Sequence, residues 1–192
     1  AVGGCGGNIG WHTEDDTIEL ADKDNLLRDI RVYVASLSRV VNADIFPFDF
    51  RHLADEFSAT LERYDKTAGQ QFNLEPAKTA VQALRAELER FYSAAATAVA
   101  ANDKEACRQY NEAILRLARI LVPINFTRQG RFRHDPAVPI PPLPDLAPAL
   151  DLAQIPEGSD LARFTVAHLI RGQNRLIDAL HQAQREIALA LK

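Results

Sequence analysis

Residues 42–57, NADIFPFDFRHLADEF, divide the chain, and their reading decides the fold. Upstream, from Thr17 to Asn42, the residues Leu26, Ile30, Val34, Leu37 and Val41 recur at helical spacing and line one face of a helix. Within 42–57 that pattern stops. Pro47 disfavours helical backbone at Phe46, and Asp49 is placed to cap a new helix. Downstream, Leu53, Phe57, Leu61 and Tyr64 mark a second helix that ends near Gly69. Asn73 is expected to cap a third, with Pro76 tolerated in its first turn and a stripe of Val81, Leu84, Leu88, Phe91, Ala95 and Val99. Asn102 and Glu105 have the spacing of a capping box for a fourth, which carries Tyr110, Ile114, Leu117 and Leu121. A last helix is expected from about Ser159 to Leu191, with Leu169, Leu176, Leu180, Ala183, Ile187 and Leu191 on one side.

The stretch from Pro123 to Gly158 holds eight of the ten prolines, and such a composition cannot continue a helix. Its apolar residues Ile140, Leu143, Leu146, Leu150, Leu152 and Ile155 point to a strap packed on the helices rather than a free linker. Docking of a partner through a PxxP-like element would require exposed prolines. Strand periodicity and internal repeats are missing. The expected fold is therefore all-α: helices two to five form a four-helix bundle with one long Pro-rich crossover, occupying residues 45–192. Residues 1–44, a glycine-rich loop and one helix, do not belong to that bundle by pattern.

Bulk properties narrow the function classes. A chain of 192 residues can build one sizeable core, and 47% hydrophobic with 25% charged residues is ordinary for a globular domain. A net charge of −4 carries no footprint for nucleic acid, and no apolar run approaches the ~20 residues of a membrane span. Cys5 and Cys107 are too few and too far apart for a disulfide framework, and they do not reveal the compartment. The lack of any Met and of a leader pattern at Ala1-Val2 gives the expectation of a fragment or processed chain.

The opening stretch, GGCGGNIGWHTEDDTIELADKDN at 3–25, is the chemically suggestive part. A phosphate-binding reading fails because no strand precedes the glycines and no Lys-Ser/Thr follows them. A metal reading is possible for His12, flanked by Trp11, Thr13 and carboxylates. One histidine is not a site, however, and His52, His134, His168 and His181 stand at no ligand-like spacing from it.

Residues 10–43, GWHTEDDTIELADKDNLLRDIRVYVASLSRVVNA, resemble the closing segment of the catalytic α/β domain in the zinc aminopeptidase and glutamate carboxypeptidase family. The junction NADIFPFDFRHLADEF and the later GRFRHDPAVP resemble the helical dimerisation domain of glutamate carboxypeptidase II and transferrin receptor proteins. The similarity spans essentially the whole chain, with the His motif and the Pro-Phe-Asp junction as its specific parts. It implies that His12 is a ligand of a two-zinc centre, that Trp11 lies beside a peptide substrate, and that the other ligands and the general base lie in a part of the parent not present here. This chain alone is then expected to be without catalytic residues and without tightly bound zinc, because the two-metal clamp needs both ions.

One departure bears on substrate. The family's glutamate-specific members use a Lys-Tyr pair in the long connection, and residues 123–158 contain neither Lys nor Tyr. Arg128, Arg131 and Arg133 could bind a carboxylate in bidentate fashion. The resemblance thus favours an aminopeptidase-like exopeptidase parent. The alternative is a non-catalytic transferrin receptor-like interaction module, against which His12 speaks. An extracytoplasmic location is suggested by the resemblance alone. The apolar stripe of the first helix must fold back on the bundle or meet another copy, and the related helical domains form two-fold dimers. A homodimer is therefore expected.

Overall fold

A computed structural model describes residues 13–15, 17–128, 133–135 and 138–192. It divides into two compact units, residues 1–43 and 44–192. Among the described residues there are six α-helices and no strand, so the protein is an all-α helical bundle.

In the first unit, α1 runs Lys23–Val41 after a short 3-10 turn at Ile18–Leu20. The helix starts later than the periodicity from Thr17 suggests, because Asp22 caps it: its Oδ1 accepts from Asn25 N at 2.8 Å. Asp24 in the first turn and Arg39 in the last complement the helix dipole. No residue of α1 is buried, and the stripe residues Leu26, Ile30, Val34, Leu37 and Val41 are all exposed.

The second unit contains α2 (Phe50–Ala68), α3 (Glu75–Ala100), α4 (Lys104–Phe126), α5 (Ala149–Leu152) and α6 (Asp160–Ala190). Asp49 caps α2 as expected, accepting from Arg51 N, and Gly69 closes it at φ +58°, a conformation that suits glycine. At α3 the cap position is Leu74. Asn73 stands one residue outside it and accepts from Glu75 N. The turn between α3 and α4 corrects the expected capping box. Asp103, not Asn102, caps α4 through Ala106 N, while Asn102 takes the left-handed φ of +55° that closes α3. Asn tolerates that backbone better than most residues, and this is the use made of it here.

The buried faces follow the helical period. Phe57, Leu61, Tyr64, Leu84, Leu88, Phe91, Ile114, Leu117, Leu121, Leu180 and Ile187 are fully buried in one continuous core. Two expected stripe ends fall outside it. Val99 is exposed, and the buried residue of that turn is Ala98, which the alternation of three- and four-residue steps reaches from Ala95. Leu191 lies past the end of α6 and is also exposed.

The crossover begins later than Pro123. The α4 helix continues through Pro123 to Phe126, and Thr127 closes the last turn by donating its N–H and its hydroxyl to Pro123 O. This turn carries Asn125, which is 1% exposed although polar. Its Oδ1 accepts from Leu143 N at 3.1 Å, and its Nδ2 donates to Glu56 Oε2 at 3.2 Å. Leu143, Leu146, Ala149 and Leu152 are buried in the core, so residues 142–155 are a packed strap as the sequence suggests. Pro144 is buried and Pro141, Pro142 and Pro148 are half-buried. In packing terms, α3, α4 and α6 meet one another, whereas α2 meets the bundle mainly through α3 and α5. The strap thus supplies the fourth wall between α2 and α6.

Truncating the fully buried Leu117 to Ala is expected to destabilise the bundle by about 2–5 kcal/mol. The same change at Leu161, 60% exposed in α6, is expected to stay within about 0.5 kcal/mol. Urea unfolding of both variants checks the contrast.

Candidate functional site

Three places bear on function: the opening motif, the junction at 44–51, and the rim of the crossover. Trp11 and His12 lie outside the described residues. The described part of the motif begins at Thr13, whose Oγ1 accepts from Asp15 N at 3.2 Å. Beyond it, Thr17 donates a side-chain hydrogen bond to Glu19 and holds that carboxyl below its usual range. Among the described residues, no group of three or more His, Cys, Asp or Glu is arranged to hold a metal ion.

The junction is fixed by polar side chains that α3 and α4 direct at its backbone. Asn111 uses both ends of its amide. Its Oδ1 accepts from Phe46 N at 2.7 Å, and its Nδ2 donates to Asp44 O at 2.8 Å. Lys104 Nζ lies 2.7 Å from Asp44 Oδ1, an exposed pair of modest value. Tyr92 does for the next turn what Asn111 does here: its hydroxyl donates to Phe48 O at 2.5 Å and accepts from Phe50 N at 3.0 Å. These contacts satisfy backbone groups that Pro47 and the start of α2 leave without helical partners.

Charge reinforces the same corner. Arg51 makes hydrogen bonds to both oxygens of Asp49 at 2.6–3.1 Å and to Glu89 Oε2 at 3.1 Å. Its guanidinium also lies over the Tyr92 ring, 4.9 Å from the centroid. The hydrogen bond from Arg51 holds the Asp49 carboxyl below its usual range and raises Arg51 in turn. Burial pushes the Tyr92 phenol up to about 12. The corner is therefore a rigid start for the bundle, with its phenol neutral and its carboxylate ionised at pH 7.

At the crossover, Arg128 and Arg133 are both exposed, and Arg131 lies outside the described residues. The Arg128 N–H donates to both carboxylate oxygens of Asp135. Arg128 shares an open cleft of about 480 Å³ with Pro141, Pro144, Pro148, Asp151 and His168; Arg133 is not among its lining residues. Such a cleft, apolar with a few polar groups, has the size of a ligand site. Its acid and base content is nearly balanced, which favours no particular ion.

Asn111, Tyr92, Asn125 and Tyr64 were not legible as positioning residues. An Asn or Tyr on a helix reads as surface or generic core, and the backbone partners lie 42 to 78 residues away for Tyr92, Asn111 and Tyr64. The one available signal was Asn125, four residues after Leu121 on the buried face of α4. In comparisons with known proteins, no family model, no curated protein and no solved structure matches this chain.

The Tyr92 phenol has a pH signature. Its folded value lies above the ordinary 10, so its contribution to stability is complete below about pH 10 and is lost as pH rises toward about 12. Urea unfolding from pH 9 to 12 is expected to show an alkaline loss for the native chain that is smaller in Tyr92→Phe, which itself costs about 1 kcal/mol at neutral pH.

Proposed function

We propose that this chain is the C-terminal part of a zinc-dependent exopeptidase of aminopeptidase type, in which residues 1–44 close a catalytic domain and residues 45–192 form a helical dimerisation domain. His12 is a ligand of a two-zinc centre in that longer protein, Trp11 lies at its substrate, and zinc and a peptide are its cofactor and substrate. The observation that carries the reading is the sequence motif at 11–17, Trp-His-Thr-Glu-Asp-Asp-Thr, standing a fixed helix ahead of the Pro-Phe-Asp junction. Two structural features support it. The α1 helix is capped at its start and amphipathic, yet buries none of its residues, as a helix made to cover another layer would. The Pro-Phe-Asp junction after it is built into the bundle by Asn111 and Tyr92, as the start of a separate helical domain would be.

The chemistry assigned to His12 is that of one ligand among several. When bound, a pair of zinc ions would supply Lewis-acid polarisation of a peptide carbonyl and a hydroxide nucleophile at neutral pH. His12 would hold one of these ions through a neutral imidazole nitrogen, which fills a ligand position and leaves the ion's charge unchanged. The exposed α1 stripe adds a partner: in the 192-residue chain it brings two copies together, as a homodimer.

Two measurements test this. Calorimetric titration of zinc into the 192-residue chain is expected to show no stoichiometric tight site. In the longer protein, His12→Ala is expected to lower hydrolysis of an aminoacyl anilide by more than about 100-fold and to remove zinc by metal analysis. Unchanged hydrolysis and zinc content would overturn the assignment. Sedimentation velocity of the chain is expected to show concentration-dependent dimerisation that Ile30→Glu with Val34→Glu weakens; a strict monomer at all concentrations would contradict the dimer.

A further inference from the structure

We infer that the crossover turn at residues 142–145 is a latch for α2: it locks that helix to α4 and α6, and α2 and the strap open together as one unit while α3, α4 and α6 stay folded.

Three helices, α2, α4 and α6, reach this turn. From α2, the Tyr64 hydroxyl donates to Pro142 O at 2.6 Å. From α4, the buried Asn125 Oδ1 accepts from Leu143 N, and the same amide donates to Glu56 on α2. From α6, Arg175 pairs with Asp145 at 2.7 Å. The helix also brings Gly172 so close that a Cβ there would stand 2.7 Å from Asp145 O. The backbone between these fastenings is strained, since Leu143 has a φ of +48° and yet is 2% exposed. A non-glycine residue keeps such a conformation only where its surroundings impose it.

The packing shows what the fastenings hold. The helices α3, α4 and α6 each touch the other two, so their mutual packing does not depend on α2. The α2 helix touches α3 on one side and the strap on the other. Its buried Phe57, Leu61 and Tyr64 belong to the same core as Leu143, Leu146 and Leu152 of the strap. With the strap withdrawn, α2 would hold to the bundle by its α3 face, with exposed ion pairs such as Arg85–Asp55, and by the single Asn125–Glu56 hydrogen bond from α4. Burial on one face is little for a 19-residue helix, whose stability in proteins comes mainly from tertiary packing. The α2 helix and the strap are thus each other's support, and local opening of such a unit precedes global unfolding. Opening it uncovers the apolar faces of α3 and α6 while those helices remain in place.

Native-state hydrogen exchange of the 192-residue chain across low urea concentrations tests the latch. Amides of α2 and of residues 142–155 are expected to share one opening free energy and one urea dependence, below those of α3, α4 and α6. Tyr64→Phe removes one hydrogen bond and is expected to raise exchange about fivefold in α2 and in the strap alike. Arg175→Gln, changed at the surface, serves as a second probe and should move both in step by a smaller factor. If α2 exchanges with α3, α4 and α6, or if either variant accelerates the strap and leaves α2 unchanged, the latch does not exist.

Discussion

The arrangement of the bundle depends on one buried amide. Asn125 satisfies Leu143 N with its oxygen and meets Glu56 with its nitrogen, and so ties α4, the crossover and α2 at a single point. A buried polar side chain is tolerated when its hydrogen bonds are made, and then it specifies one arrangement among several that apolar contacts alone would permit. Here it specifies that a Pro-rich segment, helical only over the single turn of α5, lies where a long helix would otherwise stand. Tyr64, Arg175 and Gly172 complete the fit around the same turn. The crossover is a wall of the fold rather than a connection across it.

Much of this was readable in the chain. Periodicity located the bundle helices, because an apolar face repeating at 3.6 residues is what a helix must bury. Asp49, Gly69 and Ser159 marked ends correctly, each through a side chain or backbone conformation with a known use. The errors have physical causes. Asn102 looked like a cap because capping and left-handed turns draw on the same residue type, and only the backbone shows which use is made. Pro123 looked like a helix end, yet the last turn of α4 persists around it, closed by Thr127. The apolar character of the strap showed that it packs, but not that Tyr64 and Asn125 hold it. Those contacts join residues far apart in sequence, and local pattern carries no record of them.

The functional reading rests on different ground from the fold. Composition and periodicity yield a helical bundle and no chemistry. The motif around His12 and the Pro-Phe-Asp junction supply the chemical proposal, and Trp11, His12 and Arg131 fall outside the described residues. What the structure adds is context for the proposal: a helix with an apolar face and no buried residue, followed by a junction whose backbone is satisfied by Asn111 and Tyr92. Of the sequence-predicted carboxylate-binding residues, Arg128 lines the crossover cleft.

The central claim, that the crossover is pressed against α6 as part of the core, can be tested by the sign of one substitution. Glycine inside a helix is ordinarily improved by alanine, by about 1 kcal/mol. At Gly172 the added Cβ would meet Asp145 O at 2.7 Å and Asp145 Cβ at 3.0 Å, so the strap or the helix would have to shift. Urea unfolding of Gly172→Ala is predicted to show a loss of about 1–3 kcal/mol. A gain of about 1 kcal/mol, the ordinary helix-propensity effect, would show that the crossover does not lie on α6 in solution.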